Sequence, residues 1–126
     1  MDASSLIQGG IFLIRLGVGL VFIVHGYPKM TGRGFTSKGS RESLTKSLQR
    51  LGLPLPHYLA IVVGICEFFG GIMLVAGMAV RVAASLLAII MLVAATRNFV
   101  EKGFLGGADF PFSLLLTLLG LALIGG

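Results

Sequence analysis

Two ionisable side chains, Arg15 and Glu67, fall inside long apolar runs of this 126-residue chain. An isolated charge within a membrane-spanning helix costs about 2.5–3.5 kcal/mol on insertion scales, so such residues normally face a bundle interior and find a partner. A charged group in that position can move protons or bind a polar ligand. A charged pair can equally serve to hold two helices together, and the sequence leaves both roles open.

The depth of the two residues predicts that they meet. Arg15 lies 12 residues before Tyr27, the predicted end of a first span, and Glu67 lies 10 residues after His57, the predicted start of a second. At the helical rise these separations are about 18 and 15 Å from the same side of the membrane. We therefore expect an Arg15–Glu67 ion pair. Glycines near the acid would let the helices approach closely; they are Gly64, Gly70 and Gly71.

His25, near the end of the first apolar run, is a further candidate. A histidine titrates near neutrality and could pass protons or bind a quinone oxygen, or it could simply face headgroups and water. Lys29 follows four residues later, on the same face if the helix persists. His25 and His57 alone make a weak case for a metal, and none is predicted. Cys66, the single cysteine, is interpreted as a small packing residue.

The composition predicts the elements that position these residues. Hydrophobic residues make up 56% of the chain and charged residues 12%, against about 25% charged in a soluble domain. Because a span needs about 20 apolar residues, we predict an all-α, polytopic membrane protein: one domain, 1–126, forming a four-helix bundle. Nucleic-acid binding is not expected. The predicted spans are 8–27, 57–77, 80–97 and 110–126.

Loop one contains a predicted amphipathic helix over residues 40–51. Ser40 can cap its start, and Leu44, Leu48 and Leu51 form one apolar stripe. Such a helix lies on the membrane surface or packs over the mouth of the bundle, and both remain open. Basic residues concentrate in loops one and three, so the positive-inside rule places both loops in the cytoplasm.

Four stretches follow one another along the chain: RLGVGLVFIVHGYPKMTG, then LGLPLPHYLAIVVGICEFFGGIMLVAGMAVRVAA, then AIIMLVAATR and KGFLGGADFPF. In this order they resemble the DoxX family of small bacterial membrane proteins over about residues 11–126. The resemblance implies four membrane helices in the bacterial cytoplasmic (inner) membrane. The family's polar positions fall on Arg15, His25, Lys29, Glu67, Arg81 and Asp109. Asp109 stands where relatives commonly have Glu, so a shorter reach is expected there.

The resemblance implies a subunit of a membrane oxidoreductase system, since some members belong to thiosulfate:quinone oxidoreductase. We expect a quinone or lipid-like ligand around Arg15 and Glu67, with a cytoplasmic or membrane oxidoreductase partner or a second copy of the chain beside it. No flavin, haem or iron–sulfur motif is present, so electrons would need a partner or a bound quinone. The alternative is a non-catalytic membrane scaffold or small-molecule-binding subunit, and whether the chain is an enzyme stays open.

Overall fold

The computed structural model describes residues 2–32 and 41–125 and is helical almost throughout. Its elements are α1 (Ala3–Thr31), α2 (Arg41–Arg50), α3 (Pro56–Ala76), α4 (Val80–Lys102), a wide helical turn (Phe104–Ala108) and α5 (Asp109–Ile124). Within these described ranges, four segments are long and apolar enough to cross a membrane: Ala3–Thr31, Pro56–Ala76, Val80–Lys102 and Phe104–Ile124. The predicted all-α, four-span architecture is confirmed.

α1 packs against α3 along a seam of glycines. An added Cβ at Gly26 would lie 2.5 Å from the Phe68 nitrogen, and one at Gly71 would lie 2.6 Å from the Gly19 oxygen. These distances leave no room for a side chain, so the two backbones are in direct contact, as small residues permit in membrane helices. The glycines of this α1–α3 seam are Gly19, Gly26, Gly64 and Gly71.

α4 packs mainly against α5, and one apolar core joins this pair to α1 and α3. Phe22 of α1 and Leu74 of α3 are fully buried there with Leu87 of α4 and Leu118 of α5. Alanines on α4, at 83, 84 and 88, belong to the same core. The bundle is therefore two close helix pairs that meet through larger side chains.

α1 does not end near Tyr27 as predicted but continues through Pro28 to Thr31. A proline within a helix removes the hydrogen bond to the carbonyl four residues earlier, and α1 continues for only three residues beyond Pro28. Gly32 then ends the helix in the left-handed conformation (φ 76°), and its N–H donates to the Pro28 carbonyl. Arg41 donates to the carbonyls of Lys29 and Met30, at 3.0 and 2.8 Å, which satisfies the exposed helix end.

α2 occupies Arg41–Arg50, within the predicted amphipathic segment, and packs against α3 and the end of α1. Leu48 is buried, Leu44 is half-buried and Leu51 is 48% exposed, so the three leucines of the stripe are buried to different degrees. The predicted cap, Ser40, lies outside the described residues. α2 thus covers one end of the bundle, which we call the site end; the α3–α4 turn marks the opposite end.

Candidate functional site

The carboxylate of Glu67 is paired with Lys29. The Lys29 Nζ lies 2.6 Å from Glu67 Oε1, and the two side chains are 14% and 2% exposed. Among the described residues Glu67 is the one charged residue that is fully buried. A charge-assisted hydrogen bond this short makes the buried carboxylate tolerable, since removing two charges from water requires a close, well-aligned pair.

The α1–α3 seam brings the two residues together. Gly26 lies against Glu67 and Phe68, and a Cβ on Gly64 would come within 2.7 Å of the Lys29 Cβ. Because both glycines lack side chains, α1 approaches α3 closely enough for Lys29 to reach across. Lys29 itself needs the extra turn of α1 beyond Tyr27, so the pair depends on that extension.

The predicted pairing of Arg15 with Glu67 was wrong. Arg15 lies opposite the end of α3, where its Nη1 is 3.5 Å from the Leu74 carbonyl and beside Gly77. From Glu67 to Gly77 is 10 residues, or about 15 Å along the helix. Tyr27 is not level with the start of α3, as the depth count assumed, because its ring is 6.2 Å from that of Phe68.

Two cavities flank the Lys29–Glu67 pair. The first, the α2 cavity, has a volume of about 220 Å³ and lies beneath α2, with walls that include Leu44, Leu48 and Val63. The second, the inner cavity, has about 180 Å³ and lies between α1, α4 and α5. Five residues line both: Lys29, Glu67, Met91, Ala94 and Arg97. Apolar walls with a few convergent polar groups are typical of small-molecule sites.

Arg97 is a member of the site that the sequence interpretation missed. This half-buried arginine lies next to loop three, where the sequence interpretation treated basic residues only as signals of orientation. Its Nε donates to Asn98 Oδ1 at 3.4 Å, while the Asn98 amide donates to the Gly107 carbonyl at 2.9 Å. Ile90 and Ala94, at i−7 and i−3, line the α2 cavity with Arg97, but apolar side chains cover the other faces of this span as well, so the sequence offers no signal for the inward face.

His25 lines the inner cavity, although the residue as a whole is exposed. Its Nδ1 is 2.8 Å from the Val21 carbonyl. Since a carbonyl only accepts, Nδ1 donates in this bond. The ring centroid is 6.0 Å from that of Phe110. His25 is therefore near the ion pair but at the rim of the site.

The other candidates lie apart from the pair. Arg81 is exposed at the opposite end beside Gly125, and Asp109 is exposed at the start of α5, where it accepts from the Phe110 N–H at 2.9 Å. No group of three His, Cys, Asp or Glu side chains arranged for a metal occurs among the described residues. Cys66 is a half-buried free thiol.

Comparison with known proteins places the chain in a family. The DoxX family model matches residues 10–101. The protein named "Putative oxidoreductase CatD" of Bacillus subtilis (strain 168) is 32% identical over 117 residues, covering 92% of this chain and 79% of that protein. The chain belongs to the DoxX family. No solved structure matches it. The DoxX match runs from α1 into α4 and so includes Lys29, Glu67 and Arg97, whereas α5 lies beyond it.

Proposed function

We propose that this DoxX protein is a membrane subunit of an oxidoreductase system that binds a quinone or lipid-like amphiphile at the Lys29–Glu67 pair. The observation that carries the proposal is the position of a buried ion pair in the lining of two apolar cavities. The link to redox chemistry rests on the oxidoreductase name of its relative.

The donors of the site suit an oxygen-bearing head group. An ammonium has three N–H donors, of which one points to Glu67, so Lys29 retains donors for a ligand oxygen. Arg97 adds a second cationic donor in the same lining. Glu67 can accept a hydrogen bond or a proton from a ligand hydroxyl. A bound quinone would supply the redox chemistry; the chain itself would hold the head group and exchange protons with it.

The size of the cavities indicates which part of the ligand they hold. At about 220 and 180 Å³, each is smaller than the roughly 300–1,000 Å³ of pockets that enclose a whole drug-sized molecule. We infer that a head group occupies the site while an apolar chain extends into the surrounding lipid. Such a ligand enters from the membrane and not from water.

Analysis of co-purifying molecules tests the proposal. Protein extracted in mild detergent is examined by absorption spectroscopy and mass spectrometry, as native chain, as Glu67→Gln and as Arg81→Gln. We expect a quinone or other amphiphile in near-equal amount with the native chain and with Arg81→Gln, the matched control at the opposite end, and a large loss with Glu67→Gln. Equal amounts in all three proteins would contradict a site at Glu67.

We further propose that the site end faces the cytoplasm of a bacterial cell, because the basic residues cluster there. Single cysteines at Ser4 and at Gln49, in a Cys66→Ala background, are labelled with an impermeant maleimide on intact cells. Both positions are exposed. We expect Ser4→Cys alone to react from outside; reaction of Gln49→Cys from outside would reverse the orientation.

A further inference from the structure

Arg97 lies in the lining of three adjacent cavities. Besides the α2 cavity and the inner cavity, it borders an outer groove of about 390 Å³ on α4, formed with Leu92, Thr96 and Val100 among others. Leu51 and Val93 line both the outer groove and the α2 cavity. The three spaces are therefore neighbours that extend from the outer face of α4 to the ion pair, with Arg97 beside each of them.

The cations beside these cavities are not equally paired. Lys29 is neutralised by Glu67 at 2.6 Å. Glu101 lies 3.9 Å from the largely exposed Arg50 of α2, and it also interacts electrostatically with Arg97, four residues earlier on α4. Within the described residues no carboxylate lies within 4.0 Å of the Arg97 guanidinium, whose Nε bonds only the neutral amide of Asn98. Arg50 is 65% exposed, so water screens its charge. The half-buried Arg97 has a carboxylate one turn away but none in direct contact, so a bound anion that reaches its guanidinium would be favoured.

We propose, building on the function proposed above, that the ligand is a single-chain amphiphile with one oxyanion head group, and that Arg97 binds this oxyanion. The head group lies between Arg97 and Lys29, where two cationic donors converge. The chain leaves between Leu51 and Val93 and lies in the outer groove, whose other walls are mainly aliphatic. Arg97 thereby selects an acidic amphiphile over a neutral quinone or alcohol of the same chain length.

Competition binding in phosphatidylcholine nanodiscs tests this assignment. Tritiated hexadecanoate is the probe, and the competitors are unlabelled hexadecanoate, hexadecanol, hexadecyl phosphate, a neutral decylbenzoquinone and phosphatidylglycerol. In the native chain we expect hexadecanoate to compete at least about tenfold better than hexadecanol, the discrimination that one charge-assisted hydrogen bond supplies. Comparison of carboxylate with phosphate identifies which oxyanion fits, and weak competition by phosphatidylglycerol separates a single-chain ligand from a bulk lipid headgroup.

Variants of Arg97 complete the test. Arg97→Gln should abolish the preference for the carboxylate over the alcohol, Arg97→Lys should retain part of it, and the control Arg81→Gln should leave it unchanged. Should Arg97→Gln fail to fold, the Arg97→Lys variant and the comparison of competitors in the native chain still decide the matter. An unchanged preference in a folded Arg97 variant, or equal competition by carboxylate and alcohol, overturns the assignment.

The same measurements distinguish a failure of the Arg97 assignment from a failure of the proposed function. Strong competition by the neutral quinone without a carboxylate preference would refute the role of Arg97 and leave quinone binding standing. Strong competition by phosphatidylglycerol would make the occupant a membrane phospholipid and refute a single-chain ligand. Binding of none of the compounds would refute both proposals.

Discussion

Both ends of the bundle carry cations, but among the described residues only the site end places a cation against a buried carboxylate. At the site end Lys29 meets Glu67 in a buried pair. At the opposite end Arg15 donates to the Leu74 carbonyl and lies over the Phe12 ring, with its Cζ 5.9 Å from the ring centroid. Its buried Nε has no hydrogen-bond partner among the described residues, while Arg81 is exposed. The cavity there, about 460 Å³, is lined by Arg81 and short stretches of α4 and α5. The role of a cation in a membrane span thus depends on the groups it faces: Lys29 faces a carboxylate, whereas Arg15 and Arg81 do not.

The length of α1 explains why Arg15 is tolerated without a carboxylate. Because Arg15 lies opposite Leu74 and Gly77, the part of α1 that precedes it has no α3 residue opposite and is almost wholly exposed. Arg15 is therefore central in α1 yet level with the α3–α4 turn, where its long side chain can direct the charge towards the interface. Glu67, in contrast, has a short side chain and lies midway along α3.

The largest effect is expected from breaking the ion pair at the site end. Glu67→Gln or Lys29→Met alone leaves a buried group without its partner, which typically costs about 3–5 kcal/mol in the free energy of unfolding. The double variant should lose less than the sum of the two single changes. Unfolding of the four proteins in detergent gives the coupling energy.

The same double variant separates a binding site from a structural tie. If the pair only ties α1 to α3, the stable double variant keeps its bound amphiphile. If the pair is part of the site, stability returns and the amphiphile does not. Additive losses from the two single changes would contradict the pairing itself.

The sequence predicted the four spans and α2 well because these depend on hydrophobic length and on a leucine stripe, which are local properties. The register of α1 against α3 is not local. It is set by which glycines meet, and α1 continues beyond its predicted end at Tyr27, where the contacts of Arg41 and Gly32 stabilise its last turn. The error in register moved the predicted partner of Glu67 from Lys29 to Arg15.

Much of the candidate site was nevertheless within reach of sequence reasoning. Glu67 was recognised from its charge in an apolar run, and Lys29 and His25 were named as candidates. Arg97 was not, because an arginine near the end of a span looks like an orientation signal until the cavity it lines is known. Cavities form where the side chains of neighbouring helices do not fill the space between them, and the sequence of a single helix does not predict where that occurs.

A second, smaller effect should follow from disturbing the seam that aligns the pair. A Cβ at Gly26 would overlap the Phe68 nitrogen and the Gly64 oxygen, which are backbone atoms that cannot turn away. We expect Gly26→Ala to cost about 1–3 kcal/mol, the usual range for overpacking, and to separate Lys29 from Glu67. Gly17→Ala is the matched control, since nothing lies within 4 Å of its added Cβ. Equal stability of the two variants would show that the seam is looser than described.

The smallest effects are expected at the opposite end, and they complete the contrast between the ends. Arg15→Met removes a weak bond of 3.5 Å together with the unpartnered buried Nε, so the two changes offset and the net effect should stay below about 1 kcal/mol. Arg81→Gln, at an exposed position, should fall within about 0.5 kcal/mol of the native chain. Detergent unfolding of each variant, alone and combined with Glu67→Gln, measures both stability and coupling. Because neither arginine contacts the carboxylate of Glu67, the losses in stability should be additive in the combined variants. A coupling energy between Arg15 and Glu67 as large as that between Lys29 and Glu67 would contradict this. It would mean that the register of α1 against α3 differs from the one described.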